Sequence, residues 1–143
     1  MAKQYFTPDN WTVSEGAYQP ELNGFLETIF NLGNGYMALR GTPCEGFSAG
    51  QATSGFYMPL IYDLLPVNRR WWGGGRLNDQ MSVMVGCGDY AGLRLSIDGA
   101  RFDPAEGKLA DYDRTLDMRT ATLARRVDWR SGKTRATVED QRF

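Results

Sequence analysis

Histidine is absent from the 143 residues. That removes Ser-His-Asp and Cys-His nucleophilic chemistry and the usual zinc and non-haem iron ligand sets, unless another chain supplies the imidazole. Carboxylates are then the remaining acid and base candidates. Asp111, Asp113 and Asp117 lie too close in sequence to form an opposed acid–base pair, whose members must straddle the bond they act on. Turn and surface roles suit such residues better. Cys44 and Cys87 are too few for a disulfide framework and cannot close a metal site alone, so both are expected as buried thiols. The run Gly33-Asn34-Gly35-Tyr36-Met37-Ala38 has the spacing of a dinucleotide fingerprint, but Gly41, Pro43 and Gly46 interrupt any helix that would aim its N-terminus at a pyrophosphate. Trp71 and Trp72 stand beside Gly73-Gly74-Gly75 and offer indole faces that suit either a protein interface or the CH face of a sugar. They are the only substrate-binding candidates the residues suggest. No residue receives a catalytic or metal-ligating role.

The elements that must position these residues are strands. The chain is 42% hydrophobic and 13% aromatic, with 17 Gly and 6 Pro, a composition of turn-rich globular proteins and not of disorder or coiled coil. The length suits one domain or part of one. With 16 basic and 17 acidic side chains the net charge is -1, which provides no electrostatic footprint for nucleic acid or an anionic membrane. No apolar run approaches a membrane span, and the start lacks the apolar core of a signal peptide, so the expected address is cytoplasmic. Thirteen of the basic residues are Arg, spread along strands and interleaved with Asp and Glu, which reads as solvated sheet surface and not as a phosphate site.

Apolar residues alternate with period two between Asp-Gly, Asn-Gly and Gly-rich turns, the pattern of an antiparallel β domain without a long helix. Residues 92–98 predict a strand that turns at Asp98-Gly99 into a return strand at residues 100–103. A second hairpin is expected over residues 123–138. Leu123, Val127 and Trp129 share one face, Ser131-Gly132-Lys133 forms the turn, Ala136 and Val138 continue the apolar face, and Arg126, Asp128, Arg130, Arg135 and Glu139 lie opposite. Around Asn34-Gly35 a third hairpin is expected, with strands at residues 28–32 and 36–40. Residues 111–120 fit either a strand or one helical turn. The last residues, 137–143, still read as strand, so the sheet is expected to be incomplete at that end.

Residues 27–41, centred on Asn31-Leu32-Gly33-Asn34-Gly35-Tyr36, resemble the N-terminal signature of glycoside hydrolase family 65, which includes maltose, kojibiose, nigerose and trehalose phosphorylases. The resemblance continues through residues 54–63, 93–99 and 112–120, and residues 67–75 match least well. It implies an all-β fold, an antiparallel β-sandwich of the super-β-sandwich type. The 143 residues would then form a partial N-terminal domain, with the catalytic (α/α) barrel and C-terminal β domain absent. It also implies a non-catalytic scaffold for an enzyme that acts on α-glucosyl disaccharides. In that enzyme a barrel glutamate protonates the leaving oxygen while inorganic phosphate, or water in the hydrolases, attacks the anomeric carbon. Phosphate is then a co-substrate of the parent and no cofactor is needed. The implied partners are the barrel of the same chain and a second subunit in a homodimer, with the Trp71-Trp72 loop as candidate contact. Glu27 and Arg40, two charges in an otherwise apolar, glycine-rich stretch, are expected to pair or to face the barrel. The alternative from another class is a stand-alone carbohydrate-binding β-sandwich that stacks sugar on Trp71, Trp72 and nearby tyrosines.

Overall fold

A computed structural model of the chain describes residues 5–45, 55–66, 80–88 and 92–143. The fold is all-β and antiparallel, of the sandwich type. Its largest sheet has five strands: β1 (Thr7–Pro8), β2 (Thr12–Glu15), β9 (Lys108–Asp117), β10 (Thr122–Ser131) and β11 (Thr134–Arg142), in the order β1-β2-β9-β10-β11. A second sheet has the order β3-β4-β5-β6, from β3 (Leu32–Gly33), β4 (Ala38–Leu39), β5 (Phe56–Pro66) and β6 (Gln80–Cys87). A small ribbon pairs β7 (Ser96–Ile97) with β8 (Ala100–Arg101). Among the described residues no helix is long and apolar enough to cross a membrane.

The expected hairpin at the C-terminal end forms with Ser131 opposite Thr134 and Val127 opposite Val138. Leu123, Val127 and Trp129 are buried, while Arg126 and Glu139 pair at 2.7 Å on the exposed face. Residues 111–120 resolve as the end of β9 and a turn, because β2 and β10 flank that strand and satisfy its backbone on both sides. The Asp98-Gly99 hairpin also forms, with both residues at positive φ (52° and 79°), the backbone a two-residue twisted turn requires. Its strands are shorter than the period predicts. Residues 92–95 stay outside the ribbon, and Leu93 is exposed.

The Asn34-Gly35 hairpin differs more. Residues 23–29 form a helix, α1 (Asn23–Ile29), so Thr28 and Ile29 are helical and the strands shrink to β3 and β4. Pro20 opens a 3-10 turn (Pro20–Leu22) that leads into α1. Leu26 and Phe30, four apart, then lie on one face and are fully buried, each contributing about 1.5–3 kcal/mol by its removal from water. A strand would have sent Ile29 and Phe30 to opposite faces. The helix stops where the Asn31 side chain donates to Thr28 O at 2.9 Å. In the turn, Asn34 Oδ1 accepts from the backbone of Tyr36 and Met37 at 3.0 and 2.9 Å.

Two apolar clusters fill the inner face of the five-stranded sheet. Leu26 and Phe30 pack on Leu116 and Leu123 at one end. At the other, Phe102 and Tyr112 pack with Val127 and Trp129, whose indole donates to Asp103 O at 2.9 Å. A charged row separates the two.

Candidate functional site

On β9 the inward positions run Tyr112, Arg114, Leu116; on β10 they run Leu123, Arg125, Val127. Register sets Glu15 opposite Arg114, Arg114 opposite Arg125, and Arg125 opposite Asp140. One cross-strand row therefore reads Glu15, Arg114, Arg125, Asp140 over β2, β9, β10 and β11, buried or half-buried throughout. Two like charges face each other at its centre, which is destabilising unless each is neutralised. Each is neutralised. Arg114 donates to Glu15 Oε2 through Nε at 2.9 Å and Nη2 at 2.6 Å, and its guanidinium lies 4.4 Å from the centre of the Phe30 ring. Arg125 grips Glu45 with both terminal nitrogens, at 2.7 and 2.6 Å, and donates from Nε to Asp140 at 2.6 Å.

The row also holds the segment that follows the glycine-rich hairpin. Arg114 Nη1 donates to Gly41 O at 2.9 Å, Arg142 Nη2 donates to Thr42 O at 2.6 Å, and Arg125 takes Glu45. One arginine from each of β9, β10 and β11 thus pins residues 41–45 across the sheet. Arg40 and Glu27 pair, as expected from their isolation in the sequence. Arg40 Nε lies 3.5 Å from Glu27 Oε2, Asn23 donates to the other carboxylate oxygen, and Arg40 Nη2 donates to Gly24 O and Thr28 Oγ1. Glu27 is fully buried, so within this chain it faces inward and braces α1.

The ionisable groups of this centre are shifted chiefly by burial and by one another. Burial raises the Glu15 carboxyl, opposed by the charge of Arg114 beside it. Burial would lower the Arg125 guanidinium, but the hydrogen bonds and charge of Glu45, with Asp140, outweigh it and raise the group further. The Cys44 thiol is pushed up by burial and by Asp140, so the nucleophilic thiolate is disfavoured. Both thiols are free and half-buried, more open than the buried pair expected from cysteine's habits. Among the described residues no three His, Cys, Asp or Glu groups converge as a metal site would need.

Three surfaces stay open. The hairpin tip presents Tyr36 and Met37. A cavity of about 500 Å³ beside Tyr18 is lined by Pro20, Pro104, Asp111 and Tyr112. The β5–β6 pair leaves most of its apolar side chains in solvent. Trp71 and Trp72 lie outside the described residues. The G-x-G-x-x-A run is followed by β4, so no helix N-terminus stands behind those glycines. The sequence reading missed Arg114, Arg125, Glu15 and Glu45 as a unit. The available signal was an arginine at an inward parity position between apolar residues on two strands, Tyr112-x-Arg114-x-Leu116 and Leu123-x-Arg125-x-Val127.

A family model described as "Glycosyl hydrolase family 65, N-terminal domain" matches residues 13–143. Kojibiose phosphorylase of Halothermothrix orenii is 32% identical over 122 residues, which cover 85% of this chain and 14% of that protein. Alpha,alpha-trehalose phosphorylase of Thermoanaerobacter brockii is 32% identical, covering 90% of this chain and 17% of the relative. Maltose phosphorylase of Bacillus subtilis is 24% identical, covering 99% and 18%. A solved structure titled "Putative kojibiose phosphorylase from human microbiome" superimposes with a TM-score of 0.83 at 20% identity over 99% of this chain and 18% of that one. The chain spans less than a fifth of the length of these proteins.

Proposed function

We infer, from the premise that this chain belongs to the glycosyl hydrolase family 65 N-terminal domain family, that it is a non-catalytic scaffold within a longer enzyme acting on α-glucosyl disaccharides. The observation that carries this reading is the fate of the interior carboxylates. Glu15, Glu27, Glu45 and Asp140 are each engaged by an arginine, and the Arg125–Glu45 contact ties residue 45 to the sheet. A general acid needs access to a leaving group, and a carboxylate enclosed in the fold beside a buried guanidinium lacks it. The acid that protonates the glycosidic oxygen then belongs to a catalytic barrel elsewhere in the longer chain, with inorganic phosphate as the attacking co-substrate. Homodimerisation of the intact enzyme is part of the same reading, and it draws on the relatives' family and on the Trp71-Trp72 loop.

The test is to incubate the purified chain with kojibiose, trehalose or maltose and inorganic phosphate. No glucose 1-phosphate and no glucose should be released; turnover above the buffer rate would overturn the scaffold reading. The rival, a stand-alone carbohydrate-binding module, is favoured by the open cavity beside Tyr18. Calorimetric titration separates the two: millimolar or tighter glucan binding, lost in Tyr18→Ala or Trp71→Ala, would select the module.

A further inference from the structure

On the outward face of the five-stranded sheet, charges alternate in sign along each strand, but at one row they do not alternate across the strands. Register sets Arg130 of β10 opposite Arg135 of β11 on one side and opposite Lys108 of β9 on the other. All three are exposed, and Lys133 stands exposed in the adjoining turn. Neighbouring strands lie about 4.7–4.9 Å apart, so three cations sit abreast within roughly 10 Å. Like charges directly opposite are destabilising until something neutralises them. The inward arginines of this sheet each have a carboxylate. Among the described residues the side chains of Lys108, Arg130, Lys133 and Arg135 enter no ion pair and no hydrogen bond.

An irregularity makes this row. Asp111 faces Asp128 and Leu109 faces Trp129, so Ala110 is an extra residue on β9. Without it Leu109 would stand opposite Arg130 and Lys108 would turn to the inner face; with it Leu109 packs on the Trp129 cluster and Lys108 joins the cations. A cavity of about 250 Å³ opens at the bulge, with Ala110, Asp128, Arg130 and Arg135 in its wall. Asp128 is the one carboxylate among the described residues of that wall, and it is already engaged: Thr137 Oγ1 donates to it at 2.6 Å and Arg126 lies 3.7 Å away. Asp111, opposite it, accepts from the backbone of Tyr112 at 3.0 Å. Neither carboxylate is turned to the cation row.

We propose that Lys108, Arg130 and Arg135 form a binding site for a phosphate-type oxyanion, seated beside the bulge cavity. Two guanidinium forks and an ammonium offer more donors than the two oxygens of a carboxylate can use, and one negative charge would leave most of the repulsion in place. A doubly charged tetrahedral anion takes a fork from each arginine and offsets two of the three charges. One short row cannot follow a nucleic-acid backbone, and a net charge of -1 supplies no wider basic field for one. The site is built wholly from strands of this chain, so it stands whether or not the scaffold reading does.

The test is titration of the 143-residue chain with inorganic phosphate at low salt, against sodium chloride matched for ionic strength, followed by nitrogen-15 spectra. The amide resonances of Lys108, Arg130 and Arg135 should shift saturably with phosphate, and Arg130→Gln or Arg135→Gln should raise the dissociation constant about tenfold or more. Arg119→Gln, exposed at the opposite end of the β9–β10 hairpin, should leave it unchanged. The melting temperature supplies a second readout. Phosphate should raise it more than chloride does, while Arg130→Gln, which relieves the repulsion, should melt no lower than the unsubstituted chain in chloride and should lose the phosphate response. An equal response to matched chloride, resonances that stay in place, a dissociation constant unchanged in both variants, or a phosphate-dependent rise that survives Arg130→Gln would each overturn the proposal. An acidic peptide that shifts these resonances where phosphate does not would also overturn it, and would assign the row to a protein surface.

Discussion

Arg125 is one of two buried arginines at the centre of the interior, and its removal can be sized from the structure. Its side chain is 2% exposed and joins Glu45, 5% exposed, to Asp140, 19% exposed, through three contacts of 2.6–2.7 Å. Arg125→Met keeps most of the aliphatic volume and deletes the charge. Glu45 is then left inside the fold, beside a half-buried thiol, without a cation, while Asp140 keeps only Arg142 at 3.9 Å. Removing one partner of a buried pair costs about 3–5 kcal/mol, most of it the desolvation of the group left behind. At about 3–5 °C per kcal/mol for a domain of this size, the melting temperature should fall by roughly 10–20 °C. Arg126 is the internal control, because its partner Glu139 sits at the same 2.7 Å but both are more than half exposed, and Arg126→Met should cost about 0–1 kcal/mol. Thermal and urea unfolding by circular dichroism measure both. The double variant Arg125→Met/Glu45→Gln should recover part of the loss, since it discharges the stranded carboxylate. Equal costs for the two arginine variants, or strict additivity of Arg125→Met with Glu45→Gln, would refute the claim that burial makes the first pair matter.

Two further outcomes follow from the same interior. Gly41→Ala would put a Cβ 2.6 Å from the Phe30 Cβ and 2.7 Å from its carbonyl oxygen, so either Phe30 or the pinned segment must move; a loss of about 1–3 kcal/mol is expected in urea unfolding, and one under half a kcal/mol would show that the contact relaxes freely. Burial, followed by the charge of Asp103, pushes the Tyr18 phenol from 10.0 to about 12, and burial pushes Tyr112 in the same direction. Because the folded state resists ionising them, their contribution to stability is fully present below pH 10 and is lost as pH rises through 10 toward 12. Absorbance at 295 nm should show these phenolates forming only as the β signal disappears; full titration of all seven tyrosines in a chain that stays folded below pH 11 would contradict this.

The C-terminal hairpin was legible because its information is local. Leu123, Val127 and Trp129 alternate with charged neighbours, and Gly132 stands at the turn, so period and turn chemistry agree. The same logic identified the Asp98-Gly99 turn but overstated its strands, because beyond Ser96 only Leu95 still meets the return strand, accepting from Phe102 N at 2.9 Å, while Leu93 N donates to Cys44 O instead. Period two misread residues 28–29, where a four-residue spacing of Leu26 and Phe30 and a proline-led turn upstream made a short helix cover the sheet. Family resemblance over residues 27–41 reached the N-terminal domain family before any coordinate did, since a long, ordered string of residue types carries that information without geometry.

By itself, then, the sequence determined the β class, the main turns and the absence of histidine from these residues. Only the tertiary structure decided that Arg114 and Arg125 point inward, face each other, and take Glu15 and Glu45 from segments about 80 to 100 positions away. The physical reason is that an arginine on a strand reads as solvated surface until its cross-strand register is known. Pairwise neutralisation inside the fold depends on which strands are neighbours, and alternation along one strand does not encode that.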